Sequence, residues 1–138
     1  MTKSEYYRLL VETSKGGGFP AYNQTQRVCV YRSPDGKRCA VGLLIPDDKY
    51  VRDMDAAGNA LDLFAAFPGL QSVIPEGLSK RDLFDIQGCH DQLRPGADKP
   101  WGCETDEEYS SYRWDHDQFV RMLDALPCFG GMTQTTTQ

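Results

Sequence analysis

Tyr6, Leu9, Leu10 and Thr13 recur at helical spacing behind Thr2-Lys3-Ser4-Glu5, in which the threonine side chain and the glutamate three residues on satisfy each other's free backbone donors. This predicts a first helix, ended by Gly16-Gly17-Gly18. The pattern then changes period. "RVCVYR" alternates and is rich in β-branched and aromatic residues, and Ser33-Pro34-Asp35-Gly36 supplies turn chemistry after it. A hairpin is expected from about Arg27 to Ile45, its second half passing into the most apolar run of the chain, Ala40 to Ile45.

The hairpin's register decides how two cysteines relate. With Pro34-Asp35-Gly36 as a three-residue loop and Gly36 left-handed, Tyr31 faces Cys39, and Cys29 lies diagonally across the same face. With a two-residue loop the two thiols fall on opposite faces.

Beyond Pro46, Asp47-Asp48 opens a short helical turn, and Ala56, Ala57, Ala60, Leu61 and Phe64 mark a second helix from Asp53, weakened by Gly58 and stopped by Pro68-Gly69. Ser79 caps a third helix with Asp82 in its first turn and an apolar stripe of Leu83, Ile86, His90 and Leu93. A long loop from Arg94 to Tyr109 follows. Asp106, Glu107 and Glu108 favour a fourth helix that buries Trp114, Phe119, Met122, Leu123 and Leu126. The elements sum to an α+β domain, mainly α, with three or four helices packed around a short β-hairpin. Residues 1–130 form the globular part, and the polar 131–138 read as a tail. The expected core is Val41, Leu43, Leu44, Ile45, Leu83, Ile86 and Leu123.

Bulk properties narrow the partners. A chain of 138 residues, 40% hydrophobic and 25% charged, is long enough for one proper core. Its net charge of -5 argues against binding through nucleic-acid phosphates. Arg27, Arg32, Lys37 and Arg38 are the nearest thing to a basic cluster, and four charges beside a turn are more often a solvated tip. No apolar run reaches membrane length. Met1 to Leu10 has the charges Lys3, Glu5 and Arg8 instead of a signal's apolar core, so a cytoplasmic location is expected. Five irregularly spaced cysteines fit thiols in a reducing compartment.

Cys29-Val-Tyr31-Arg32, Asp35-Gly36-Lys37, Cys39-Ala-Val-Gly42-Leu-Leu-Ile45-Pro46-Asp47 and Tyr50, followed by Ile86-Gln87 and His90-Asp91, resemble a group of small proteins found in bacteria and their phages. The resemblance spans roughly residues 27 to 93, and the insert between Leu93 and Tyr109 departs from it. It implies an origin and a shape, not a mechanism.

Three kinds of chemistry compete for the polar residues. A cysteine hydrolase would use Cys39 as nucleophile, His90 as base and Asp91 or Asp85 as orienter. Against it, His90 sits on an apolar stripe and cysteine is among the most buried residue types. A zinc site would draw on Cys29, Cys39, Cys89 and His90, but the close ligand pairs usual in structural sites are missing. Acidic groups such as Asp115-His116-Asp117 read more simply as helix-start charge. The third reading is a binder. Arg32, Lys37 and Arg38 at the turn, with Trp101, Tyr109 and Tyr112 in the insert, are the expected contacts, because large amphipathic rings beside charge are enriched at interfaces. The expectation is therefore a phage or mobile-element accessory protein that binds a host protein or an assembly subunit, without cofactor, nucleic acid or membrane. A homo-oligomer is compatible with this, as is a place in the virion.

Overall fold

The computed structural model describes residues 1–97 and 105–130. Its main elements are α1 (Lys3–Lys15), β1 (Tyr22–Asn23), β2 (Val28–Cys29), α2 (Ala60–Ala66), α3 (Lys80–Asp91), α4 (Asp106–Ser111) and α5 (His116–Ala125). The architecture is α+β and mainly α, with one two-stranded antiparallel sheet. The 131–138 tail lies outside the described residues.

Capping explains where the helices begin. Thr2 accepts the Glu5 N–H (3.1 Å) while Glu5 accepts the Thr2 N–H (3.0 Å), so α1 opens on the capping box its sequence spells. Tyr6, Leu10 and Ser14, spaced by four, form its buried face. Ser79 and Asp82 make the same reciprocal box for α3. That helix buries Leu83, Ile86, Gln87, Cys89 and His90 and packs on both α2 and α5.

Two expected helices are each divided. The stretch from Asp53 becomes a 3-10 turn (Arg52–Ala56) and a separate α2. The cause is Gly58, whose φ of +100° breaks the helical path and lets Asn59 and Asp62 form a fresh capping box. In the C-terminal part, Tyr112 leaves α4 in an extended conformation, and Asp115 accepts the Gln118 N–H (3.0 Å) to start α5.

The hairpin is also rearranged. β1 pairs with β2 in the register Tyr22↔Cys29 and Asn23↔Val28, so the ladder lies before the Ser33 turn and not across it. The turn itself is closed by a single bridge, Arg32↔Arg38, with the Cys39 N–H donating to the Tyr31 carbonyl (3.3 Å). Gly36 has φ +86°, which matches the three-residue loop and sets Tyr31 opposite Cys39. Ala40 to Ile45 is not a strand. Leu44 and Ile45 donate back to the Val41 and Gly42 carbonyls in a 3-10 turn (Gly42–Leu44), which buries this apolar run except for the half-buried Leu43.

One cluster of buried residues joins these parts. Val41, Ile45, Leu83, Ile86 and Leu123 are fully or almost fully buried in it, Leu44 nearly so, and Leu43 packs against its edge. Tyr6 reaches across from α1 and donates to the Ala40 carbonyl (2.6 Å), pinning the 3-10 turn to the first helix.

Candidate functional site

Polar chemistry concentrates where α3 meets the segment from Ala21 to Val41. The sequence places Gln87, His90 and Asp91 within one turn and a half of helix, so all three project toward that segment. His90 is fully buried, and each of its ring nitrogens is engaged. The Ala21 N–H donates to Nε2 (3.0 Å), so in the neutral ring the proton sits on Nδ1, which donates to Asp91 Oδ1 (2.8 Å). Phe19 meets the ring edge-on and Trp114 lies tilted against it, at centroid distances of 5.2 and 5.7 Å. Gln87 Nε2 donates to the same Asp91 oxygen (2.9 Å), and Gln87 Oε1 accepts the Val41 N–H (2.9 Å).

The thiol grouped with this network is Cys29. Its sulfur, a His90 nitrogen and an Asp91 oxygen all lie within 4.8 Å of one another. Burial pushes the Cys29 thiol well up, and the negative charge of Asp91 pushes it further. Cys39 is fully buried, and desolvation raises it strongly although the Gly42 N–H points at its sulfur (3.2 Å). Cys89 is raised to about 11, first by burial and then by Asp85. None of these thiols is set up as a thiolate nucleophile at neutral pH.

The hydrolase triad of Cys39, His90 and Asp91 is thus not assembled as the sequence suggested. His90 pairs with Asp91, but a general base needs a lone pair facing the nucleophile, and the Nε2 lone pair is filled by Ala21. Asp85 lies elsewhere, paired with Arg81 (3.4 Å) and accepting from the Cys89 thiol through its carbonyl (3.5 Å).

The same tautomer argument bears on zinc. A metal on Nδ1 would move the ring proton to Nε2, opposite the Ala21 N–H, so two donors would face each other. Cys29, His90 and Asp91 fit a hydrogen-bonded network better than a ligand set.

The expected contact residues are mostly tied into the fold. Arg32 donates to the Ile45 carbonyl (2.8 Å), pairs with Asp47 (2.9 Å) and lies over the Tyr50 ring (4.4 Å), which makes it a brace for the turn. Arg38 also meets Asp47 (2.7 Å), and Lys37 stands 4.0 Å from Asp35; both are partly exposed beside the exposed tip Pro34-Asp35-Gly36. Tyr109 stacks on Tyr22 at 5.9 Å, and the Tyr112 hydroxyl donates to the Leu93 carbonyl. Trp101 lies outside the described residues.

Two features were not read from the sequence. One is the central place of Gln87, a buried carboxamide on the helix face that also carries His90 and Asp91. The other is a groove of about 500 Å³ beside α3, bordered by α5 and the start of α2. Compared with known proteins, the chain matches no family model, no curated protein and no solved structure.

Proposed function

We propose that the chain acts by stoichiometric binding to a protein, as an accessory of a phage or mobile element, and not by catalysis. The observation that carries the reading is the state of His90: one nitrogen takes a backbone N–H and the other is committed to Asp91, so the only buried imidazole is a structural link. Supporting it, the described thiols are pushed up rather than down. The phage origin rests on the resemblance of residues 27 to 93 alone. Lys37 and Arg38, beside the exposed tip of the Asp35 turn, are the basic contacts.

The test is affinity capture from host extract, followed by calorimetry with the purified partner. A fixed molar ratio, with binding weakened by Lys37→Ala plus Arg38→Ala, supports the reading. Rapid alkylation of Cys39 at neutral pH that His90→Ala slows would replace it with the hydrolase reading.

A further inference from the structure

Gly88 is an unforced glycine. It stands inside α3, where glycine weakens a helix, yet neither a positive φ nor a close neighbour requires it. A Cβ built there meets only the Gln92 amide nitrogen, at 4.0 Å. The space it would occupy belongs to the groove beside α3, so the missing side chain deepens that groove and bares helix backbone at its floor.

The groove's walls are of two kinds. Phe84, Met122 and Leu126 are apolar, while Asp85 and Asp91 are acidic, and among the described residues lining it none is lysine or arginine. Its volume of about 500 Å³ lies in the range of ligand sites. Asp85 already has Arg81. Asp91 differs: its side chain is 42% exposed and has no lysine or arginine ion-pair partner among the described residues. Arg94, although close in sequence, donates to the Asp91 backbone carbonyl (2.8 Å).

The geometry points to a lysine side chain of the protein partner as the occupant, its ammonium at Asp91 and its methylene stem between Phe84 and Met122. This rests on the reading of the chain as a protein binder and adds a second contact, lined by residues other than Lys37 and Arg38. A half-exposed carboxylate without a lysine or arginine ion pair among the described residues, above apolar walls, suits a cation on an apolar stem. Lysine fits better than arginine. One Asp91 oxygen already accepts from His90 and Gln87, so the carboxylate cannot offer both oxygens to a guanidinium fork, whereas an ammonium needs one.

The isotope-labelled chain of 138 residues would be titrated with the peptide acetyl-Gly-Gly-Lys-Gly-Gly-amide and followed by amide chemical shifts. Saturable shifts at Gly88, Gln92 and Asn59, with a roughly millimolar Kd as befits one side chain, are expected. The same peptide with Nε-acetyl-lysine should bind at least about ten-fold more weakly, as should Gly88→Leu protein. If Gly88→Leu fails to fold, Gly88→Ala serves: it should melt higher than the parent and still bind several-fold more weakly.

Equal binding of the acetylated peptide, tighter binding of an arginine peptide, or shifts confined to the Lys37 turn would each overturn the proposal. So would nuclear Overhauser contacts from the groove to residues 131–138, which would make the chain's own segment the occupant. A failed titration beside successful partner capture would sink only the lysine groove. Failed capture with a specific titration would instead count against the protein partner.

Discussion

Gln87 and Val41 are joined by a buried hydrogen bond of 2.9 Å, in which the side chain of a helix satisfies the backbone N–H of a 3-10 turn's entry. The other end of the same carboxamide holds Asp91. Gln87→Leu leaves that N–H buried without a partner and takes a donor from Asp91. Urea unfolding should show a loss of about 2–4 kcal/mol, more than one exposed hydrogen bond is worth. A loss below about 0.5 kcal/mol would mean that water replaces the amide.

Gly42 is required by contact and not by φ. A Cβ there would overlap the Tyr31 carbonyl oxygen, with the Tyr31 carbonyl carbon at 3.1 Å and Cys39 Sγ at 3.3 Å, and backbone gives way poorly. Gly42→Ala should destabilise the fold by about 3 kcal/mol or more. Gly69→Ala, where nothing lies within 4 Å, is the control and should change stability by under about 1 kcal/mol.

Alkaline pH should weaken the protein in a defined window. Burial lifts Cys89 from 9.0 to about 11, so the folded state holds that proton more tightly than the unfolded chain does. Stability from this group is fully present below about pH 9 and is lost as pH rises through about 11. Melting temperature should therefore fall above about pH 9, and Cys89→Ala should flatten part of that fall. An unchanged slope in the variant would show that other thiols, Cys29 and Cys39 above all, carry it.

Ser14 links three elements through one hydroxyl. It accepts the Trp114 Nε1–H (2.8 Å) and shares a hydrogen bond with His116 Nδ1 (2.7 Å). Ser14→Ala strands the indole N–H and should cost about 1–3 kcal/mol. Combined with Trp114→Phe the losses should be less than additive by about 1 kcal/mol, which a double-mutant cycle measures.

Local rules made the helix starts legible. Thr2 with Glu5 and Ser79 with Asp82 act within four residues of chain, so sequence alone locates them. Gly36 announces a turn but leaves its length open between two and three residues; the left-handed Gly36 and the Arg32↔Arg38 bridge select the three-residue loop and set Tyr31 opposite Cys39. Gly58 and Asp115 misled because periodicity continues across them, while a positive φ in one case and a capping side chain in the other restart the helix. The Ala40–Ile45 run was hard to assign because every side chain in it is apolar and all but Leu43 are buried, which erases the period that separates strand from helix. The polar network was half visible. His90 and Asp91 are neighbours in sequence, but that the Cys29 sulfur comes within 4.8 Å of them and that Ala21, 69 residues from His90, donates to its ring are contacts no spacing rule reports.

The lashing of α1 to α5 has a consequence for how the chain is made. Tyr7 donates to Asp124 across 117 residues and packs edge-on against Phe129, and Ser14 waits for Trp114. On a ribosome adding about 5–20 residues per second, that side of the first helix stays bare for roughly 5–20 s before its cover emerges. Nascent chains should thus depend on holdase chaperones through that interval, and slow codons between residues 20 and 110 should lower yield by lengthening it.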